Sequence, residues 1–180
     1  DKERNIPGLI REGGKDERGF YYSLPKLSCN GWLTLNGKER VDVFGQGWVD
    51  RQWGDFTTKA WEWTSFRFDN GDRINTYNFH NGYQIGKLQR EDGTETVFDS
   101  FKVIQNGYAR TANNVWFSWG WDYILPVKEQ QYKLVPLSDQ NQILSDVNNF
   151  FEGLSKVMNA AGEQVGWAVT ESMDVRVMHN

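Results

Sequence analysis

Along this chain, apolar and polar residues alternate in short runs separated by turn residues. Phe20-Tyr21-Tyr22-Ser23-Leu24 is β-prone and stops at Pro25. In Asn30 to Leu35, Gly31, Leu33 and Leu35 share one side and Trp32 and Thr34 the other. Asn36-Gly37 then predicts a hairpin, with Arg40 to Gln46 as the return strand. Further on, the pattern predicts strands over Trp61 to Phe68, Arg73 to His80, Tyr83 to Arg90 and Thr94 to Gln105. The turns between them are Asp69-Asn70-Gly71-Asp72, Asn81-Gly82 and Glu91-Asp92-Gly93, and Asn106-Gly107 closes the last strand. Val115 to Leu125 is rich in rings, with Trp119, Trp121 and Tyr123 on one strand face. Gln131 to Leu137 is a strand broken at Pro136, and Asp139 to Phe150 reads as one short helix. A strand then begins at Phe150-Phe151-Glu152-Gly153, and a turn at Ala160 to Glu163 leads into Val165 to Ser172. Nothing resembles a crossover helix. The pattern predicts an all-β, antiparallel fold, and a closed barrel is preferred over a sandwich because closure removes exposed edges.

Residues 1–19 carry four glycines among charges with almost no apolar periodicity, which reads as a linker or lead-in. Residues 20–180 form the barrel domain. The chain opens at Asp1 without a methionine or a signal-peptide pattern, as expected of a trimmed or processed piece. For the compartment, the cell envelope or secretion is slightly preferred over the cytoplasm.

Composition narrows the chemistry. At 180 residues and 20.9 kDa the chain suits one domain of ordinary size. Nine tryptophans must be buried or line a site. A net charge of -4 gives no basic track for nucleic acid. The single Cys29 excludes an internal disulfide and has no obvious histidine partner for thiol catalysis. His80 and His179 lie far apart, and no metal-ligand spacing, phosphate loop or nucleophile elbow is present. No apolar run is long enough to span a bilayer. Neither a metal nor a cofactor is expected. What remains is carboxylates in aromatic surroundings.

The densest such stretch is Gly45 to Trp63, with Trp48, Trp53, Trp61 and Trp63 around Asp50-Arg51. Alternation puts Gln46, Trp48, Asp50 and Gln52 on one face and Val49, Arg51 and Trp53 on the other. It also puts Trp61, Trp63 and Ser65 opposite Glu62, Thr64 and Phe66. If the two tryptophan-bearing strands pair across Gly54 to Lys59, they wall an indole-lined cavity. A carboxyl group held among indoles loses solvation and becomes a proton donor near neutral pH. Asp50 is therefore a candidate acid pointing into such a cavity, or else a structural anchor neutralised by a partner. Glu171, in register with Trp167, and Glu152, after Phe150-Phe151, are further candidate acids or satisfied barrel-end carboxylates. Tyr22 would orient a ligand or pack, and Trp121 with its ring-rich neighbours would line a wall or fill the core. Gly47, beside Trp48, is expected at a bulge or close backbone approach.

Several of these segments together resemble the carotenoid 1,2-hydratase / AttH-like family of lipocalin-like domains. They are Tyr21 to Leu27, Gly31-Trp32-Leu33, Asn36-Gly37, Gly45 to Gly54, Trp61-Glu62-Trp63, Asp69-Asn70-Gly71, Phe151-Glu152-Gly153 and Gly166 to Glu171. The W-x-D-[RH]-x-W core at Trp48 to Trp53 is the most specific of them. The resemblance implies a lipocalin-like β-barrel, usually one of two in tandem, so that a preceding barrel of the same family is the expected partner. Family members include hydratases of isoprenoid chains, related proteins cyclise polyenes, and others accompany ABC transporters. On the matching position Asp50 would donate a proton to an alkene, with Trp48 and Trp53 flanking the cation. Two functions follow. One is a barrel that binds an apolar, isoprenoid or polyene-like small molecule. The other is a hydratase or cyclase acting on such a substrate.

Overall fold

The computed structural model describes residues 9–10, 18–54, 60–127, 130–145 and 149–174. It divides into two compact units, residues 1–57 and 58–180. Every strand pair in it is antiparallel, and no helix occurs among the described residues.

The first unit is a long hairpin. β2 (Gly19–Leu35) pairs with β3 (Glu39–Gly54), and the two-residue β1 (Leu9–Ile10) adds to the outer edge of β2. The turn forms where Asn-Gly predicts it. Asn36 and Gly37 both have positive φ, 50° and 68°, and the Lys38 amide donates to the Leu35 carbonyl at 3.0 Å.

Pro25 does not end the strand as its missing amide hydrogen suggests. It sits with Lys26 in a bulge: Leu24 pairs with Val49 and Leu27 with Gly47, so two residues face one. The extra residue flips the alternation of β2. Phe20, Tyr22 and Leu24 before it and Leu27, Leu33 and Leu35 after it thus share one face with Val41, Val43, Val49 and Trp53. Asp50, Trp48, Ser23 and Asp42 lie on the other face, together with Trp32 and Phe44.

The second unit is one curled sheet in the order β7-β6-β5-β4-β15-β14-β12-β11-β8. Its strands are β4 (Trp61–Phe68), β5 (Arg73–Phe79), β6 (Gln84–Gln89), β7 (Glu95–Phe98), β8 (Lys102–Gln105), β11 (Trp121–Leu125), β12 (Gln130–Pro136), β14 (Asn149–Met158) and β15 (Gln164–Met173). β7 and β8 stand at opposite ends of that order, yet only Asp99, Ser100 and Phe101 separate them. Four residue steps span at most about 14 Å, so the sheet must curl until its edges meet. The single long strand expected over Thr94 to Gln105 is this seam, broken in the middle. Phe98 and Phe101 meet edge to face across it at 6.0 Å, and Phe101 stacks on Tyr123 at 6.1 Å.

A small hairpin of β9 (Tyr108–Arg110) and β10 (Trp116–Ser118) stands beside the main sheet. The ring-rich run after Val115 therefore splits in two. Trp121 and Tyr123 are buried, whereas Trp119 lies in the break and is exposed.

The helix expected over Asp139 to Phe150 is replaced by β13 (Gln142–Leu144), which pairs with Asn149 to Phe151 of β14. Twelve mostly polar residues with three aliphatics make a marginal helix. The edge of β14 next to Phe150 and Phe151 offers them a hydrogen-bond ladder instead. The core lies on the concave side, where Phe66, Phe68, Ile74, Leu88, Trp121, Tyr123, Leu134 and Phe151 pack as one cluster.

Candidate functional site

The two tryptophan-bearing strands do not pair with each other. β3 pairs with β2, and both edges of β4 are taken, one by β15 and the other by β5. The pairing of the Trp48–Trp53 and Trp61–Trp63 segments is overturned, because the ladder groups of β4 are already used on both sides.

On the hairpin, Asp50 and Trp48 share a face as alternation requires. Trp48 Nε1 donates to Asp50 Oδ1 at 2.8 Å, and Ser23 Oγ, directly across the ladder, donates to the same oxygen at 2.5 Å. Ser23 Oγ also lies 3.2 Å from the Tyr21 hydroxyl. The carboxylate is exposed, so it is held by two neutral donors at a surface rather than enclosed by indoles. Arg51 points to the opposite face, across from Tyr22. Tyr22 meets Trp53 edge to face at 6.0 Å, and Phe20 stacks on Trp53 at 5.6 Å. Tyr22 and Trp53 remain about half exposed on the apolar face, away from Asp50.

In the second unit, the concave face of β4 carries Glu62, Thr64, Phe66 and Phe68, and the convex face carries Trp61 and Trp63. Trp61 Nε1 donates to Glu171 Oε1, and Glu171 stands directly opposite Trp63 on one side and Glu152 on the other. Glu171, Glu152, Trp61 and Trp63 thus form a convex-face group, and the alternation of β14 and β15 turns both glutamates away from the core. A groove of about 530 Å³ on the convex side is lined by both polar and apolar side chains, among them Asp122, Gln131, Lys133, Val135 and Met158.

Of the candidate site residues in the second unit, Trp121 alone lines the concave interior. It leads to a group that sequence reasoning missed. Trp121 Nε1 donates to Glu62 Oε1 at 2.6 Å, and both side chains are shut off from solvent, at 0% and 1% exposure. Gln105 Nε2 donates to the same oxygen at 2.7 Å, and Ser172 Oγ at 3.4 Å. Glu62 Oε2 receives only a long bond, 3.4 Å, from Asn78 Nδ2, whose own oxygen accepts from Gln84 at 3.1 Å. Among the described residues every donor to this buried carboxylate is neutral.

One step deeper, Thr64 Oγ1 lies 2.9 Å from the Tyr123 hydroxyl and 3.1 Å from Thr170 Oγ1. Burial holds the Tyr123 hydroxyl well above the ordinary tyrosine range. The Glu62 charge adds to that shift, against hydrogen bonds with Thr64 and Thr76. The interior is therefore an aromatic core crossed by one polar seam that ends at an anion. The readable signal was the even register of β4: Phe66 and Phe68 mark the core face, and Glu62 continues it.

The comparisons fit this architecture. A crystal structure described as an AttH of Nitrosomonas europaea superposes with a TM-score of 0.81 at 20% identity, covering 93% of this chain and 56% of that one. Kievitone hydratase of Nectria haematococca superposes with a TM-score of 0.75 at 16% identity, with the same coverages. The chain thus spans about half the length of these two solved proteins. No curated protein matches it. The sequence pattern of the AttH-like family matches residues 5–171, running through both units and nearly every strand described above. The chain belongs to the AttH-like family.

Proposed function

We propose that this chain is a lipocalin-like barrel that binds an apolar, isoprenoid or polyene-like small molecule against aromatic side chains. The observation that carries this reading is the concave interior, where Phe66, Trp121, Tyr123 and Phe151 are gathered by a curled sheet around the buried Glu62 carboxylate. Indole and phenol rings offer large apolar faces and a few fixed polar groups, the mixture that small-molecule sites use. A second reading, acid-assisted hydration or cyclisation of such a molecule with Asp50 as proton donor, is favoured by two things. One is the fixed Ser23–Asp50–Trp48 arrangement, and the other is the hydratase among its structural relatives. Trp48, on the same face as Asp50, would then stand beside the cation, and a preceding barrel of the same family would complete the site. Fold alone does not assign chemistry.

Incubation with candidate polyenes, with Asp50→Asn in parallel, decides between them. Product that depends on Asp50 supports the enzyme, and intact polyene retained equally by both proteins supports the carrier. Absence of retention and of product overturns both.

A further inference from the structure

Glu62 is not explained by an apolar-binding barrel. A carboxylate presents about four acceptor positions, and burying it without a counter-charge is costly unless those positions are filled. Oε1 is well supplied, by Trp121 at 2.6 Å, Gln105 at 2.7 Å and Ser172 at 3.4 Å. Oε2 is not: among the described residues its single bond, from Asn78, is 3.4 Å long. The asymmetry also has a direction. Trp121 and Ser172 are fully buried and hold Oε1 from within, with the half-buried Gln105 beside them, whereas Oε2 meets the half-buried Asn78, which is bonded in turn to the half-buried Gln84. One carboxylate oxygen is therefore fixed by the core and the other faces a thin amide cover.

We infer that Glu62 is a ligand-recognition residue, and that the interior takes an apolar molecule carrying a hydrogen-bond-donating head group, a hydroxyl, which binds Glu62 Oε2 in place of the Asn78 amide. The inference rests on the apolar-ligand reading above and adds the polar end of that ligand. Trp121 and Gln105 act as positioning residues, holding the carboxylate so that Oε2 stays available. A hydroxyl donating to an ionised carboxylate makes one of the stronger hydrogen bonds available to a neutral ligand. The aromatic neighbours Phe66 and Tyr123 supply the apolar contact for the rest of the molecule.

The test compares 1-decanol with decyl methyl ether, which has the same chain and no donor. Binding to the full chain is followed by tryptophan fluorescence. The alcohol should bind about tenfold tighter than the ether, the worth of one hydrogen bond to a charged acceptor. Glu62→Gln should cut that preference several-fold while leaving ether affinity unchanged. Asn78→Ala, which uncovers Oε2 and keeps the carboxylate, should tighten the alcohol several-fold, and it serves if the Glu62 variant does not fold. Equal affinity for alcohol and ether, or a preference that survives in Glu62→Gln, overturns the role of Glu62 and leaves the apolar-ligand reading standing. Failure of both compounds to bind overturns both.

Discussion

Trp121 and Glu62 lie 59 residues apart in the chain, and their side chains meet through a 2.6 Å hydrogen bond inside the curled sheet. Both are essentially inaccessible to solvent. The indole N–H is the shortest of the contacts that keep this anion in the core, so removing it leaves a buried charge under-supplied. Trp121→Phe is expected to lower stability by about 3 kcal/mol, combining the lost charged hydrogen bond with lost volume beside Phe151. Adding Glu62→Leu to that variant removes the stranded acceptor as well. The double variant should be more stable than the sum of the single losses, by 1 kcal/mol or more on a denaturant cycle. Strict additivity would show that the two groups do not support each other.

Two glycines in strands should respond differently to alanine. A Cβ at Gly166 would lie 2.3 Å from the Arg67 carbonyl oxygen and 2.9 Å from Phe68 Cα, both backbone atoms of the neighbouring strand. Gly166→Ala is expected to cost at least about 2 kcal/mol, since the ladder between β15 and β4 has to part. At Gly47 the nearest atom is Cys29 Sγ at 2.8 Å, an exposed thiol whose one hydrogen bond among the described residues is a long one, 3.9 Å, to the Leu27 carbonyl. Gly47 lies across the ladder from the Pro25–Lys26 bulge, but the obstacle to a Cβ there is a side chain rather than backbone, and it is soft. Gly47→Ala should change the urea midpoint little, by about 1 kcal/mol or less.

Alkaline pH should unfold the second unit through its tyrosines. The folded-state pKa of Tyr123 is raised by burial and by the Glu62 charge, and that of Tyr132 by burial and then by Asp72. The unfolded chain releases these protons near pH 10, whereas the folded chain holds them. Below that pH their contribution is fully present. As pH rises above it, the unfolded state binds fewer protons and stability falls. Melting temperature should therefore decline from about pH 10 upward, and Tyr123→Phe should make the decline shallower, with Tyr132 keeping part of it. An unchanged slope in Tyr123→Phe would exclude Tyr123 as a source.

The bulge at Pro25 and Lys26 makes a register prediction. Deleting Lys26 restores plain alternation and sends Leu27, Leu33 and Leu35 to the face that carries Asp50. Amide protection in β2 beyond the deletion should be lost in hydrogen exchange, or the turn should move off Asn36-Gly37 to recover the old faces. Native protection with an unmoved turn would show that the apolar face is not what sets the pairing.

The turns were legible because their chemistry is local. Asn36-Gly37, Asn81-Gly82 and Asp92-Gly93 need only the positive φ that glycine tolerates, and Gly37, Gly82 and Gly93 show it at 68°, 82° and 86°. Pairing was less legible because it depends on distant strands. Trp53 and Trp61 are close in sequence and read as neighbours, but the partner of β4 on one side is β15, about a hundred residues on. Asp50 drew attention because tryptophans flank it in the chain. Glu62 has tryptophans on either side too, but they point to the other face, and the one that matters arrives from β11. Sequence proximity pointed to a carboxylate against an indole at Asp50 and Trp48, while the same pairing at Glu62 and Trp121 joins strands far apart in the chain.

The position of β15 also constrains how the chain assembles. It runs between β4 and β14, so the meander from β4 to β7 and the strands from β8 to β14 lie on either side of it in the sheet order. Until Gln164 to Met173 emerges from the ribosome, β4 lacks one neighbour, and the polar seam ending at Glu62 lacks Thr170 and Ser172. Earlier strands must wait, with one edge unpaired, for the last of the described strands. Such non-local pairing closes slowly, and the open edges of β4 and β14 are where a nascent chain would capture another copy of itself.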